Sequence, residues 1–251
     1  SIGVSYNSDH GLLYVNFGTS FETPTTTELV NHPEMTGGFN PDIKPEIARG
    51  VETGFRGMWP QSLLRYEIAV FRMQVKDQLI SFRTPEGGSR DFYRNAGKTR
   101  HDGLEASVRW KANHWLEMLL NYNYSHFTFL ESDGSDFEEG NRLPGIPEHR
   151  LVAGVSFQHS GFRTDLTFEH TGSYYVNNEN TTSNPGYELV HVRMGHSGFD
   201  LADTARWIPF IAINNVFDTQ YNSSVSVNAN FGRYYEPAPG RSVFLGWTLE
   251  W

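Results

Sequence analysis

The last ten residues, from Ser242 to Trp251, read S-V-F-L-G-W-T-L-E-W. Successive side chains on a β-strand point to opposite sides, so every second residue of this segment shares a face. One face is wholly apolar or aromatic and consists of Val243, Leu245, Trp247, Leu249 and Trp251. The other face is mixed and consists of Ser242, Phe244, Gly246, Thr248 and Glu250. The segment therefore predicts a strand with one apolar face and an aromatic residue at its very end.

Two kinds of β structure contain such a strand. In an outer-membrane β-barrel, the apolar face meets lipid and aromatic girdles lie at the two interfaces. In a soluble β-sandwich, the apolar face packs against a second sheet and the other face meets water. The aromatic end favours the barrel, but alternation within one strand leaves the sandwich open.

The composition of the chain argues against several other classes of protein. The 251 residues suit one large β domain, and the absence of cysteine excludes disulfides and thiolate sites. A net charge of −9 argues against a nucleic-acid partner, which needs a basic surface. Aromatic residues make up 14% of a chain whose mean hydropathy is only −0.49. No apolar run is long enough for a transmembrane helix. The chain begins at Ser1 rather than at an initiator Met, and residues 2–6 already show the apolar–polar alternation of a strand. We therefore expect a fragment or a processed product.

Strand-like alternation recurs along the whole chain. About ten runs follow the opening segment, at 13–20, 51–56, 64–70, 103–110, 116–124, 150–158, 162–169, 190–195, 208–217 and 242–251. The run at 208–217 is apolar on both faces, so its orientation stays open. Charged residues recur on the polar face of the other runs, at Glu52, Glu67, Glu105, Arg109, Glu117, Asp165 and Arg193. They would line a lumen in a wide barrel or meet water on a sandwich.

The connections between the runs alternate in length. The short ones are 57–62, 111–114, 159–161 and 198–206, and the long ones are 21–45, 83–100, 129–149, 177–186 and 222–240. Long loops at one end and tight turns at the other are typical of outer-membrane barrels. Greek-key sandwiches have no reason to keep this order. The loop lengths therefore favour a transmembrane antiparallel β-barrel.

A series of short motifs then follows in a characteristic order. They are F-E-T-P-T-T-T-E-L at 21–29, N-P-D-I-K-P-E at 40–46, V-E-T-G at 51–54, N-A-G at 95–97, D-G-L-E at 102–105, P-G-I-P-E-H-R at 144–150, I-N-N-V-F-D-T-Q-Y at 213–221 and Y-E-P-A-P-G-R at 235–241. The series resembles the C-terminal part of the barrel of TonB-dependent outer-membrane receptors, from about residue 12 to residue 251. Each motif alone is short, and the ordered series is the specific signal.

The resemblance implies a 22-stranded barrel whose lumen is filled by a plug domain. Residues 1–251 would then be the C-terminal portion of that barrel, without the plug or the TonB box. An open half-sheet leaves unpaired edge amides in lipid, so we expect the missing strands in an absent part of the protein rather than closure as a smaller barrel. The implied location is the outer membrane of a Gram-negative bacterium.

The implied function is active import. Such a receptor binds a scarce extracellular ligand, such as a ferric siderophore or similar iron complex, and imports it into the periplasm with TonB energy. Its partners would be that ligand, its own plug domain, the TonB complex and the lipid bilayer. Residues 224–241 together with 21–29 are also similar to a subgroup tied to pyrroloquinoline quinone uptake. A self-standing small barrel acting as a porin, adhesin or enzyme is the alternative from another class.

Arginine and tyrosine concentrate in the long connections, and Tyr174 and Tyr175 are predicted to end the strand before one of them. The ligand-binding candidates are Arg90, Tyr93, Arg94, Tyr174, Arg233, Tyr234 and Tyr235, with Arg83, Arg100 and Tyr175 beside them. Arginine offers planar donor pairs to carboxylates, and tyrosine stacks and hydrogen-bonds. Such a set suits a carboxylate-rich metal chelate or a quinone. The alternative is that these residues only pack the loops.

No catalytic pattern accompanies these residues, so we predict no enzyme, no cofactor and no metal site. The chain lacks the G-x-S-x-G nucleophile turn and the H-E-x-x-H zinc helix. Ten scattered histidines favour ordinary lumen, interface or loop positions. The acidic run D-G-S-D-F-E-E at 133–139 fails the spacing of a calcium loop, so we predict a solvated extracellular loop there.

Overall fold

The structure is a computed structural model that describes residues 1–30, 32–34, 38–82, 84, 90–95, 97–131, 137–202 and 205–251. One short helix, α1, spans Thr26–Val30, and two 3-10 turns span Pro60–Ser62 and Asn230–Gly232. The strands are β1 (Ile2–Ser8), β2 (Gly11–Glu22), β3 (Glu46–Trp59), β4 (Leu64–Lys76), β5 (Leu79–Phe82), β6 (Phe92–Asn95), β7 (Lys98–Lys111), β8 (Leu116–Phe129), β9 (His149–His159), β10 (Phe162–Thr171), β11 (Tyr174–Tyr175), β12 (Ser183–Asn184), β13 (Tyr187–His196), β14 (Phe199–Ala202), β15 (Ala205–Asn214), β16 (Asn222–Val225), β17 (Tyr235–Pro237) and β18 (Ser242–Glu250).

Within the described residues, twelve strands form one antiparallel sheet in the order β1-β2-β3-β4-β7-β8-β9-β10-β13-β15, with β14 and β18 also paired to β15. β14 continues the line of β13, because Gly195 opposes Phe210 and Phe199 opposes Trp207 on the same strand. The sheet is therefore an up-and-down meander in which each strand follows its neighbour. The all-β prediction is confirmed, as are the ten predicted runs and the opening segment, which is β1. β1 and β18 are the two edges of the sheet.

The five long connections leave one end of the sheet, and the tight turns leave the other. Three of the long connections contain small hairpins, β5–β6, β11–β12 and β16–β17. The β9–β10 turn is the tightest kind, since only Ser160 (φ 49°) and Gly161 (φ 83°) lie between the paired residues His159 and Phe162. Positive φ at both central residues twists the turn in the same sense as the strands. The predicted alternation of long and short connections is confirmed.

The pairing register sorts the strand side chains onto two faces. The charged face contains all seven charged residues predicted for it, because opposed pairs such as Glu67 with Ser107 and Asp165 with Arg193 share a side. The apolar face contains the alternate residues. The register also orients β15: Pro209 opposes Trp247, which places Trp207, Ile211 and Ile213 on the apolar face.

The apolar face is open along its length. Leu245 and Trp247 are 74% and 71% exposed, and no second sheet covers this face anywhere in the described part of the chain. A monomeric soluble protein rarely exposes an apolar surface of this size. The soluble-sandwich alternative is therefore wrong. Among the described residues no helix is long and apolar enough to cross a bilayer.

Three local predictions need correction. β15 ends at Asn214 because Asn215 turns the backbone (φ 53°), so 215–217 are not part of a strand. Arg100 lies in β7 opposite Thr128, not in a loop, because β7 begins at Lys98. The two tyrosines Tyr174 and Tyr175 do not end β10 but form β11 inside the following loop.

Candidate ligand-binding site

The β5–β6 hairpin supplies the first group of candidate residues. Tyr93 and Arg94 lie in β6, and Arg94 places its guanidinium 5.0 Å from the centre of the Phe82 ring. Burial raises the pKa of the Tyr93 hydroxyl, which therefore stays protonated and able to donate a hydrogen bond. Arg90 is exposed just before the strand. Arg83 lies outside the described residues.

The second group of candidates lies in the loops after β10 and β15. Tyr174 pairs with Asn184 across the β11–β12 ladder, and burial raises the pKa of its hydroxyl. Tyr235 in β17 donates a hydrogen bond from its hydroxyl to the Ser183 carbonyl at 2.9 Å. Tyr234 lies beside Tyr235, with ring centres 6.1 Å apart, and Arg233 is exposed before them. The structure thus brings Tyr174 and Tyr235 onto adjoining hairpins.

An asparagine network joins these loops, and the sequence analysis missed it. The Asn180 amide exchanges hydrogen bonds with the backbone of Arg142: Arg142 N–H donates to Asn180 Oδ1 at 2.7 Å, and Asn180 Nδ2 donates to the Arg142 carbonyl at 2.9 Å. Asn178 N–H donates to Asn228 Oδ1 at 2.9 Å, which links the loop after β10 to the loop after β15. The run N-N-E-N at 177–180 was the available signal, because asparagine readily bonds to nearby backbone.

An apolar cluster ties the first hairpin to the loop after β8. Phe129 and Phe137 stack with ring centres 4.1 Å apart and are buried with Leu143. Ile80 of the β5–β6 hairpin and Ile146 pack against them. Four of the long loops therefore form one connected layer at the end of the sheet. Tyr93 and Arg94 belong to the β5–β6 hairpin of this layer, whereas Tyr174 and Tyr235 belong to the hairpins after β10 and β15.

A cavity of about 270 Å³ opens between the loops after β8 and β10. Its lining includes Arg142, Glu148, Tyr174 and Tyr175. Arg142 Nη2 donates to Glu148 Oε1 at 2.6 Å, and this bond is the main reason why the pKa of Glu148 falls to about 2. The pair stays ionised at neutral pH, so the cavity presents charge and phenol groups to any small polar ligand.

The charged face adds polar groups toward the tight-turn end of the sheet. Arg163 and Ser156 both bond to Asp165, with Arg163 Nε 2.9 Å and Ser156 Oγ 2.5 Å from its Oδ1. Arg193 lies over the Phe210 ring at 4.1 Å. These groups give the face many donors and acceptors for a polar neighbour.

Metal ligands do not cluster in the part of the chain that the structure describes: no group of three or more His, Asp or Glu side chains has the geometry of a metal site there. Residues 133–136 of the acidic run at 133–139 lie outside the described residues, so the solvated loop stays a prediction there. Of the other three residues, Glu138 and Glu139 are exposed as predicted, whereas Phe137 is buried in the apolar cluster.

Comparison with known families identifies the family to which this sheet and its loops belong. A family model described as TonB dependent receptor-like, beta-barrel matches residues 1–230. The chain belongs to this family. The order of strands, the exposed apolar face and the looped end are those of part of such a barrel, and the predicted resemblance is confirmed. The charged face is the one that lines the lumen in barrels of this kind.

Relatives of known name agree with the assignment. The ferric-pyoverdine M114 receptor PbuA of Pseudomonas sp. is 27% identical over 201 residues, which cover 77% of this chain and 23% of the relative. The vitamin B12 transporter BtuB of Vibrio vulnificus is 24% identical over 236 residues, which cover 94% of this chain and 35% of the relative. The chain thus spans a quarter to a third of the length of these relatives.

Solved structures show the same fold. The siderophore receptor PiuA of Acinetobacter baumannii matches with a TM-score of 0.75 and 17% identity, over 99% of this chain and 35% of that one. The ferric citrate transporter FecA in its unliganded form matches with a TM-score of 0.75 and 23% identity, over 99% and 37%. At these identities the match establishes the barrel architecture and leaves the ligand open.

Proposed function

We propose that this chain is the C-terminal portion of the barrel of an outer-membrane receptor that imports a ferric siderophore or a similar iron complex into the periplasm of a Gram-negative bacterium. The observation that carries the proposal is the connected layer of long loops at one end of the meander. Such a layer, mounted on rigid strands, can enclose a small polar chelate. By their names, PbuA and FecA bind ferric complexes, PiuA binds a siderophore and BtuB binds vitamin B12.

The barrel needs more strands than this sheet contains. The edges β1 and β18 carry unpaired backbone groups, and each such group costs several kcal/mol in lipid. We propose that further strands of the same protein close the sheet to a 22-stranded barrel, with a plug in the lumen that meets the charged face. Import would then draw on TonB energy through the plug.

Uptake assays test the proposal on the whole protein in a strain that lacks its own receptors for these ligands. The panel contains radiolabelled iron complexes of several siderophores, vitamin B12 and pyrroloquinoline quinone. Saturable uptake of an iron complex that stops when TonB is deleted is the expected result. Uptake of only vitamin B12 or pyrroloquinoline quinone would overturn the iron assignment. Unsaturable leakage of all small solutes would instead indicate a porin.

The candidate side chains have a separate test. The variant Arg90→Gln/Arg94→Gln should weaken ligand binding by about tenfold or more, since hydrogen bonds to a charged ligand are each worth about 1.5–3 kcal/mol. The matched control is Arg206→Gln, at the opposite end of the sheet on β15. Equal affinity in the double variant and the control would remove both arginines from the site.

A further inference from the structure

The apolar face changes character near the long-loop end. Five cations extend from it on three adjacent strands: Arg49 on β3, Arg72 and Lys76 on β4, and Lys98 and Arg100 on β7. We call these five residues the basic patch. The register places them together: Arg49 opposes Gln74, Gln74 opposes Arg100, and Lys76 opposes Lys98.

The patch carries more positive charge than its neighbours neutralise. Asp102 is shared, with Oδ1 2.6 Å from Arg72 Nε and Oδ2 3.1 Å from Arg100 Nε. Lys98 Nζ lies 2.5 Å from Glu131 Oε1. Arg49 and Lys76 are exposed and have no ion pair with any residue that the structure describes.

The height of the patch matches a lipid headgroup layer. Asp102 and Trp110 lie on the same face of β7, eight residues apart. At about 3.4 Å per residue they are about 27 Å apart along the strand. A strand tilt of about 40° reduces this to about 21 Å along the membrane normal, close to the height of about 25 Å of the lipid-facing band. With Trp110 in the girdle at the short-turn end, Asp102 and the basic patch lie at the opposite interface.

A groove on the same face connects the patch to the apolar band. It has a volume of about 640 Å³, and its upper end is formed by Arg72, Asp102 and His126. Val51 lies in the same row as these residues, and the next row toward the tight-turn end consists of Thr53, Val70, Leu104 and Tyr124. The groove is therefore polar where it meets the basic patch at headgroup height, and mostly apolar where acyl chains lie, which is the polarity of one lipid molecule standing upright.

We propose that the basic patch and this groove bind a phosphorylated lipid of the leaflet at the long-loop end, with its phosphate on Arg49 and Arg72 and an acyl chain in the groove. Arginine pairs with phosphate through two parallel hydrogen bonds, and cations near an anionic membrane surface are attracted to it. Arg49 is a diagonal neighbour of Arg72 across β3 and β4, so one phosphate can reach both side chains. Arg72 donates from Nε and Nη2 to Asp102, which leaves Nη1 for the phosphate. This inference rests on the membrane placement in the proposed function and does not depend on the imported ligand.

Lipid retention tests the inference on the whole protein, extracted from outer membranes in a mild detergent. The variant is Arg49→Gln/Arg72→Gln. Its matched control is Arg56→Gln/Arg65→Gln, which removes two arginines from the same strands on the charged face. Native mass spectrometry counts the phosphorylated lipids that remain bound to each protein. The wild type and the control should retain such a lipid, and the variant should retain at least tenfold less.

Added lipids separate the possible sources of the phosphate. Diphosphorylated lipid A in detergent micelles should raise the melting temperature of the wild type and the control more than that of the variant. Phosphatidylcholine and inorganic phosphate should have little effect on any of them. Equal lipid retention by variant and control would overturn the inference, and so would an equal shift with inorganic phosphate alone. Ligand uptake is not measured here, so failure of this test leaves the import proposal standing on its own evidence.

Discussion

Replacement of Asn180 by alanine should loosen the loop layer without unfolding the sheet. Asn180 makes two short hydrogen bonds to the backbone of Arg142, one as acceptor at 2.7 Å and one as donor at 2.9 Å. It also adopts a left-handed backbone conformation, with φ at 57°. Asparagine tolerates this region better than other side chains do. Alanine would lose both bonds and would be strained where it stands.

The cost can be built up from these two causes. Each lost neutral hydrogen bond is worth about 1 kcal/mol, which gives about 2 kcal/mol. The left-handed conformation adds about 1 kcal/mol for alanine. The free energy of local opening should therefore fall by about 3 kcal/mol, and the variant Asn180→Gly, which is free of the strain, should fall by about 2 kcal/mol. Because about 1.4 kcal/mol corresponds to a factor of ten, opening should become about 150-fold and about 30-fold more frequent.

Amide hydrogen exchange measures this opening at Leu143, whose amide donates to the Phe127 carbonyl beside this contact and keeps that acceptor in both variants. Its exchange should accelerate by these factors, while amides in β7 and β8 keep their protection. Asn113→Ala is the matched control, since Asn113 caps the distant β7–β8 turn through bonds to Trp115 and Leu116. Wild-type exchange at Leu143 in Asn180→Ala would refute the reasoning, and equal rates in the alanine and glycine variants would refute the strain contribution.

Three further predictions follow from single contacts. The pKa of Glu148 is depressed to about 2, so its bond to Arg142 stabilises the loops fully above about pH 4.5 and is lost as the pH falls toward 2. Hydrogen exchange of the loop amides should therefore rise over that pH window in the wild type. The variant Glu148→Gln should show no such transition. Leu245→Arg should lower the free energy of unfolding in lipid vesicles by about 2–4 kcal/mol, because residue 245 faces acyl chains. Thr248→Arg, on the charged face of β18, should lower it by less than about 1 kcal/mol. Equal costs would contradict the assignment of faces. Gly161→Val should destabilise the β9–β10 turn by about 1–3 kcal/mol, since φ is 83° and a Cβ would lie 2.5 Å from the His196 ring. An unchanged urea midpoint for folding in detergent would contradict this prediction.

The sheet could be predicted from the sequence because its signals are local. Alternation with period two identified ten of the main strands, and loop lengths separated a meander from a Greek key. The run at 208–217 could not be oriented, since both of its faces are apolar. Its orientation depends on pairing with β18, where Pro209 meets Trp247. Only the register across strands, which is not a local property, resolves such a segment.

The loop layer was harder to predict for a physical reason. Arg90, Tyr93, Arg94, Tyr174 and Tyr235 were chosen by residue type, and their role in binding stays a prediction. Their surroundings depend on contacts between loops that are far apart in the chain, such as Asn178 with Asn228, fifty positions away. Neither periodicity nor spacing contains that information. Composition can suggest which chemistry a loop offers, but it does not show which loops meet.

The distribution of buried side chains explains how one barrel frame can serve different ligands. Phe92, Phe129 and Val176 are fully buried, and all three lie in the loops or at the loop end of a strand. Strand side chains of the apolar face are instead largely exposed, and they are stabilised by lipid rather than by each other. The loop layer thus has a small core of its own, and changes within it leave the register of the strands intact. Under the proposed function, loop substitutions should therefore change ligand specificity with little effect on barrel stability, whereas substitutions on the apolar face should do the reverse.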